Sequence, residues 1–202
     1  MEERPRRLVV GISGATGSRY GIRLLELLRG LPAVETHLII TEPGRRTIRE
    51  ETDYALEAVE ALADRVYDNR DIGAPLASGS FSTMGMVILP CSIRTAAALA
   101  GSTGDGLLCR AADVTLKEGR PLVVAVREAP LHAGHLRQLL RLAEIGAVIF
   151  PPLPAFYLRP RTLDELVDQT VGRILDRVGI PHGLGREWTG SAIPVRRRHD
   201  GR

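Results

Sequence analysis

A run of glycine and small hydroxyl residues near the start of the chain has the composition of an anion-binding turn. The run 11–17 reads Gly-Ile-Ser-Gly-Ala-Thr-Gly; it follows a short β-branched stretch and precedes leucines at helical spacing. Because Gly14 and Gly17 have no Cβ atom, the backbone can approach a ligand closely, and the N–H groups that open the next helix point toward it. The pattern predicts a phosphate-binding strand, turn and helix, and a purely structural corner is the alternative.

Polar residues that follow the other apolar runs favour the same ligand. Thr41 follows the second run, Ser92–Thr95 follows the third, and Arg127 with Glu128 follows the fourth. In a parallel sheet the ligand lies beyond the carboxyl ends of the strands, so we expect these residues near one edge. Hydroxyls and backbone donors at three ends with an arginine at a fourth predict a phosphate-rich ligand, most simply a mononucleotide. Helix capping is the alternative for the hydroxyls of the third group.

Alternating strands and helices have to position these residues. Five apolar runs predict strands, near 8–10, 36–41, 86–89, 121–126 and 147–150. Residues 42–44 read as a turn that leads to a helix through 50–53, and 68–83 read as an irregular loop. Further helices are predicted from 17 to about 30 and over 55–62, 95–100, 107–118, 132–145 and 163–178. The alternation predicts a three-layer α/β domain, Rossmann-like and of the flavodoxin type, with a mostly parallel sheet.

Length and composition indicate one globular domain. The 202 residues are 44% hydrophobic and 25% charged, so we expect a single domain over 1–202, with 181–202 as a C-terminal tail or oligomer arm. The two cysteines, Cys91 and Cys109, have no metal-ligand spacing, which predicts neither a metal site nor a disulfide framework and favours a reducing cytosol.

Charge and hydropathy argue against nucleic acid and membranes as partners. The net charge of +3 is modest and lies partly in the run Arg196–Arg198, and an aromatic content of 4% is too low for stacking on single-stranded nucleic acid. No apolar run reaches the roughly 18 residues of a membrane span, and the start has no leader pattern. We therefore expect a cytoplasmic protein.

Several motifs, taken in chain order, resemble the UbiX family of flavin prenyltransferases. The resemblance runs from about residue 7 to 188, and its most specific part is the segment 127–132, Arg-Glu-Ala-Pro-Leu-His, which follows a Leu-Lys-Glu segment. The other matching segments are 11–17, 51–53, 78–80, 90–95, 110–114, 116–118, 121–123, 146–149 and 154–157.

This resemblance implies an activity, a cofactor and partners. A member of the family transfers a dimethylallyl group from dimethylallyl monophosphate to reduced FMN and so makes the prenylated FMN that UbiD-type decarboxylases use. The FMN is held non-covalently between subunits of a homo-oligomer, typically a dodecamer, and no metal takes part.

The resemblance also assigns roles to individual residues. Those implied to bind FMN are Gly14, Ala15, Thr16, Thr41, Ser92, Ile93, Arg94, Thr95 and Arg127. Those implied to bind the prenyl phosphate are Arg110, Lys117, Tyr157, Arg173 and Trp188, and those implied to act in catalysis are Thr16, Glu51, Lys117 and Glu128. Cations aimed at a departing phosphate stabilise the charge that develops on it, and a carboxylate in a dry cleft can accept a proton.

Each role has an ordinary structural alternative, and the chain departs from the family pattern in places. Charged residues within helices usually form a solvated face, and carboxylates such as Glu51 and Glu128 often only form ion pairs. Family members commonly have serine at Thr16, Ser-Lys at Thr41-Glu42, and arginine at Glu187, just before the tryptophan. The terminal segment is therefore the weakest part of the resemblance.

Two other functions fit the same predicted fold. A flavin-dependent cysteine decarboxylase would need a catalytic histidine and a Pro-Ala-Ser-Ala-Asn-Thr motif, whereas residues 75–80 read Pro-Leu-Ala-Ser-Gly-Ser, with no asparagine. A non-catalytic FMN carrier would scatter Lys117, Glu128 and Arg173 over its surface, whereas an enzyme would gather them in one pocket.

Overall fold

One six-stranded sheet, with all strands parallel, runs through residues 5–184, the part of the chain that this computed structural model describes. The spatial order of the strands is β3-β2-β1-β4-β5-β6. Their bounds are Arg6–Ile12 for β1, Val34–Ile40 for β2, Arg65–Asp68 for β3, Gly85–Cys91 for β4, Leu122–Val126 for β5 and Val148–Ile149 for β6. Without the edge strand β3, the remaining five follow the flavodoxin order 2-1-3-4-5.

Within residues 5–184, seven helices cover the two faces of the sheet. They are α1 (Ser18–Arg29), α2 (Glu42–Glu51), α3 (Leu56–Glu60), α4 (Ile93–Gly101), α5 (Leu107–Lys117), α6 (Ala133–Glu144) and α7 (Leu163–Arg177), with short 3-10 turns at 75–77 and 156–158. Successive strand residues point to opposite faces, so Val10 packs in a core with α1 and α7 while Val9 packs in a second core with α4 and α5. The predicted three-layer α/β fold is confirmed.

Two local predictions were wrong. Residues 42–44 are the first turn of α2 rather than a turn before the helix, because Thr41 caps this helix by accepting the Gly44 N–H at its Oγ1 (3.2 Å), and proline is tolerated in a first helical turn. The edge strand β3 was missed, because its four residues include Arg65 and Asp68 and form no apolar run.

The point where strand order reverses lies between β1 and β4. From β1 the sheet grows to β2 on one side and to β4 on the other, so a crevice opens beyond the carboxyl ends of these two strands. Among the described residues, no helix has the length and apolar character needed to cross a bilayer.

Candidate functional site

Ser13 locks the two strand ends at the crevice together. Its side chain is buried, and its Oγ donates to the Pro90 carbonyl (3.3 Å) and accepts the N–H of Ser92 (2.8 Å). The Ser13 N–H also donates to the Pro90 carbonyl at 3.1 Å. Sequence reasoning did not single out Ser13, although a hydroxyl directly after a buried strand was a usable signal.

The N-terminus of α1 is occupied by a carboxylate of the chain itself. Glu51, at the end of α2, accepts the N–H groups of Gly17 (2.8 Å) and Ser18 (3.0 Å) and the Ser18 hydroxyl (2.8 Å). These are the amides that the sequence predicted to face a phosphate, and that part of the prediction is wrong. The helix dipole and the two amides stabilise the Glu51 carboxylate, which occupies the position predicted for a phosphate.

Thr16 and Glu51, two of the expected catalytic residues, lie together at this turn. Burial by itself would raise the pKa of Glu51, but hydrogen bonds from the Thr16 hydroxyl, Ser18 and Gly17 outweigh it and lower the pKa below its usual value. Glu51 is therefore ionised at neutral pH and can accept a proton that reaches it through the Thr16 hydroxyl.

The N-terminus of α4 offers donors at the same crevice. Ser92 caps the helix, as the alternative explanation predicted: its Oγ accepts the Thr95 N–H (3.1 Å) and lies 3.0 Å from the Thr95 Oγ1. The amides of Ile93 and Arg94 open the helix, and such first-turn amides bind anions. Arg127 lies next to this turn, because its backbone N–H donates to the Cys91 carbonyl at 2.9 Å. This donor set fits a phosphate-bearing ligand.

Thr41 and Gly14, which are also predicted to contact the ligand in the crevice, have structural roles as well. Besides capping α2, the Thr41 Oγ1 lies 3.4 Å from the Ile12 carbonyl oxygen. A Cβ atom at Gly14 would lie 2.3 Å from the Cβ of Pro43, so this position must be glycine for α2 to pack against the turn.

A second group of polar side chains lies along α5 and the loop 77–81. The Arg110 Nε donates to the Ala77 carbonyl (3.2 Å), and Lys117 pairs with Glu118 two helical turns further along. A Cβ at Gly79 would lie 2.8 Å from the Lys117 Nζ, so the loop passes directly over the lysine. Two loop hydroxyls, Ser78 and Ser80, lie 2.9 Å apart beside these cations. Both cations already have carboxylate partners, since Arg110 also pairs with Asp113 at 3.1 Å. An anion bound here would have to compete with Asp113 and Glu118 for these cations.

Arg120 holds this loop in place, and sequence reasoning missed it. Its guanidinium donates to the carbonyls of Gly79 (2.7 Å) and Phe81 (3.0 Å).

Lys117 is the only lysine in a chain with 27 Lys and Arg residues, and about half of its side chain is exposed.

The remaining predicted residues lie apart from one another within one chain. Arg173 is an exposed residue of α7, 3.9 Å from Asp176, and α7 packs on the sheet face opposite to that covered by α5. Lys117 lies at the amino end of β5, while Arg127 follows the carboxyl end of the same strand. Glu128 is half-buried and Tyr157 is exposed in the turn 156–158. Trp188, Glu187 and most of the predicted tail lie outside the described residues.

The cysteines belong to the core and its margin rather than to the chemistry. Burial raises the pKa of the Cys91 thiol and of the Cys109 thiol, which disfavours the reactive thiolate. Within residues 5–184, no three His, Cys, Asp or Glu side chains are grouped so that they could hold a metal ion.

Comparison with known proteins identifies the family. The flavoprotein family model matches residues 1–175. The chain is 56% identical over 188 residues to the flavin prenyltransferase UbiX of Escherichia coli K12, covering 92% of this chain and all of that protein. The crystal structure of AnUbiX (PadA1) in complex with FMN and dimethylallyl pyrophosphate superposes with a TM-score of 0.91 at 47% identity, over 93% of this chain and all of the other. A dodecameric FMN-dependent UbiX-like decarboxylase from Escherichia coli O157:H7 gives a TM-score of 0.89 at 46% identity, over 91% of this chain and all of the other. The chain belongs to the UbiX family of flavin prenyltransferases.

Proposed function

We propose that this chain transfers a dimethylallyl group from dimethylallyl monophosphate to reduced FMN, making prenylated FMN for a UbiD-type decarboxylase in the cytoplasm. The observation that carries the proposal is the presence of two separate groups of hydrogen-bond donors and cations, each of which suits an anion. One lies at the N-terminus of α4 beside Arg127, and the other comprises Arg110 and Lys117 under the loop 77–81. The reaction has two phosphate-bearing substrates, and the AnUbiX structure contains FMN together with dimethylallyl pyrophosphate.

The crevice at β1 and β4 fits the flavin. The Ser92 and Thr95 hydroxyls, the first amides of α4 and the Arg127 guanidinium would hold its phosphate, and Gly14, Ala15, Thr16 and Thr41 would line the opposite wall. When bound and reduced, the flavin supplies the nucleophilic ring atoms that accept the allylic carbon.

Three cations and one tyrosine would bind the phosphate leaving group. As the allylic carbon–oxygen bond breaks, its electron pair leaves with the phosphate, and negative charge grows on the phosphate oxygens. Lys117, Arg110, Tyr157 and Arg173 would stabilise that charge in the transition state. Trp188, which lies outside the described residues, would face the developing allyl cation.

Ring closure would remove one proton from the flavin's aromatic ring and deliver one to the prenyl double bond, so it needs a group that can accept a proton and give it back. The chain offers two carboxylates for this. Glu51 is kept ionised by its hydrogen bonds and reaches the crevice through the Thr16 hydroxyl. Glu128 directly follows Arg127 at the end of β5. We assign these two residues to proton transfer.

The site has to be shared between copies of the chain. Lys117 and Arg173 lie on opposite faces of one sheet, so they reach the same phosphate only if they come from different subunits. This agrees with the dodecameric assembly of the 46% identical relative. We therefore propose a homo-oligomer, a dodecamer, in which one chain provides the flavin crevice and another provides the Arg110–Lys117 group, with 181–202 as a C-terminal tail or oligomer arm.

The test is to weigh the flavin after reaction. Purified protein is incubated anaerobically with FMN, dithionite and dimethylallyl monophosphate, in parallel with the diphosphate, and the flavin is analysed by mass spectrometry. A gain of one five-carbon unit supports the proposal, and unmodified FMN on a saturated, folded protein contradicts it. The variant K117A should keep FMN bound but slow the transfer by about 100-fold. R46Q, at an exposed arginine paired with Glu50, is the matched control.

A further inference from the structure

We propose that Glu118, which directly follows Lys117, competes with phosphate for the Lys117 amine and so sets how readily inorganic phosphate leaves the site after prenyl transfer. The inference rests on the proposed function, because it takes Lys117 as a ligand of the prenyl phosphate. Glu118 would act through Lys117, as a positioning residue rather than a catalytic one.

The Glu118 carboxylate lies at the end of α5 where a negative charge is unfavourable. The helix ends at Lys117, and Glu118 is its C-cap, with its backbone N–H donating to the Val114 carbonyl at 3.1 Å. The partial negative charge of a helix C-terminus stabilises cations, so Lys117 suits this position and a carboxylate does not. A residue that conflicts with its local setting is a candidate for a functional role.

The Lys117 amine is the charged group that stabilises this carboxylate. Adjacent residues within a helix point in different directions, but Glu118 lies beyond the last helical residue, and its carboxylate turns back to pair with the Lys117 Nζ. The hydrogen bond and charge of Lys117, helped by the charge of Arg120, lower the pKa of Glu118, so this side chain is ionised at neutral pH. Glu118 thus places a negative charge on the amine that is proposed to meet the prenyl phosphate.

The loop 77–81 leaves room for the ion pair at one residue. A Cβ atom at Gly79 would lie 2.6 Å from the Glu118 Cδ and 2.8 Å from the Lys117 Nζ. Only glycine lacks a Cβ, so only glycine lets the loop backbone pass this close to the pair. The Arg120 guanidinium holds the same loop residue by donating to the Gly79 carbonyl (2.7 Å). The loop is therefore shaped to fit the carboxylate as well as the amine.

Asp113, the carboxylate beside Arg110, is held more firmly. It accepts the Ser102 hydroxyl (3.3 Å) and the Arg110 Nη1 (3.1 Å), so it is fixed from two sides within the same helix. Glu118 lies outside the helix and about a third of its side chain is exposed, so rotation about its side-chain bonds can move it away from Lys117. Of these two carboxylates, Glu118 is the one that can exchange with a phosphate.

The charges favour exchange in both directions. As the allylic carbon–oxygen bond breaks, the electron pair stays on the oxygen, and inorganic phosphate is the product that must leave. A phosphate group carries nearly two negative charges at neutral pH and a carboxylate carries one, so phosphate can displace Glu118 from an exposed and therefore weak ion pair. Because Glu118 is tethered to the next residue, its effective concentration at the amine is high, and it can recover the amine as phosphate departs.

Substitution of Glu118 gives a test in which the sign of the effect is decisive. E118Q keeps the size of the side chain, E118A removes it, and E50Q, at an exposed glutamate paired with Arg46, is the matched control. Inorganic phosphate is titrated calorimetrically into FMN-loaded protein, and the KM for dimethylallyl monophosphate is measured beside the single-turnover rate. We expect E118Q and E118A to bind phosphate about 5- to 20-fold more tightly than wild type and to have a lower KM, with single-turnover rates within about 2-fold. E50Q should match wild type.

A merely structural role for Glu118 would give the opposite result. If Glu118 only held Lys117 in place, its removal would weaken phosphate binding and raise the KM. Either of these results, or an unchanged affinity, would overturn the proposal. Tighter binding in E118Q but not in E118A would show that the new amide donates to phosphate, and it would also overturn the proposal.

The phosphate titration does not depend on the reaction. K117A should bind phosphate at least about 10-fold more weakly than wild type, and unchanged affinity there would place the phosphate elsewhere and contradict the proposal. If wild type transfers no prenyl group while E118Q and E118A still bind phosphate more tightly, the proposed function fails and the competition stands. Circular dichroism checks the folding, and E118S replaces either variant that does not fold.

Discussion

At the scale of one residue, removal of the Thr16 hydroxyl would test whether Glu51 acts in proton transfer or only caps α1. T16V keeps the shape of the side chain and removes its donor to Glu51. We expect FMN binding to persist and prenyl transfer to slow by about 10- to 100-fold, because a proton relay is lost. Single-turnover rates and flavin titration measure the two effects. T16S is the matched control and should restore most of the rate, whereas equal rates for T16V and wild type would leave Glu51 a structural cap.

A second residue should make the stability depend on pH. His37 is buried, its Nδ1 is 2.9 Å from the Tyr67 hydroxyl, and its Nε2 has no hydrogen-bond partner, with the Glu35 Oε1 3.6 Å away. Burial lowers its pKa; Glu35 and Asp64 oppose this, and Arg7 and Arg65 add to it. The unfolded chain therefore takes up a proton first as the pH falls.

The free energy of unfolding should thus fall as the pH drops below about 6.5, by at most about 1.4 kcal/mol per pH unit for this one group. Denaturant unfolding at a series of pH values measures the slope. H37Q should remove this contribution, while Y67F, which keeps the histidine, should retain it. A slope that is the same in H37Q and wild type would show that His37 does not cause it.

At the scale of elements, substitution of Arg120 would test whether the loop 77–81 needs the hydrogen bonds from this guanidinium. R120M leaves the carbonyls of Gly79 and Phe81 without their charged donor. We expect the free energy of unfolding to fall by about 1–3 kcal/mol, and proteolysis to cut the loop faster. R70M removes an 89% exposed arginine paired with Asp68 and should stay within about 0.5 kcal/mol of wild type. A rigid, protease-resistant loop in R120M would contradict this account.

Strands and helices with strong hydrophobic patterns could be predicted from the sequence. The five apolar runs became β1, β2, β4, β5 and β6. Burial on both faces explains the runs of β1, β2, β4 and β5, whereas β6 is a short, partly exposed edge strand. The short, charged β3 could not be found, since pairing with β2 rather than its own residues makes it a strand. The donors at α4 followed from hydroxyls after a strand, but no local pattern reveals that Glu51 crosses 34 residues to reach Gly17.

At the scale of the whole molecule, a site shared between subunits predicts that two defective variants can repair each other. K117A and R173Q each lack one of two cations that lie on opposite faces of one chain. In mixed oligomers formed by co-expression at equal amounts, about one quarter of the sites should contain both wild-type side chains. Activity of the mixture at about that fraction of wild type supports sharing. No gain over the separate variants would place both cations in the site of one chain.

Because Lys117 is the only lysine in the sequence, its amine can be modified selectively among the side chains. An acylating reagent or reductive methylation has one side-chain amine to modify, and that amine lies at the rim where the leaving group would be held. A ¹³C-methyl label introduced there would report occupancy in the one side-chain amine signal, which differs in its pH dependence from the signal of the methylated α-amino group. Bound inorganic phosphate would shield the Lys117 amine from the reagent.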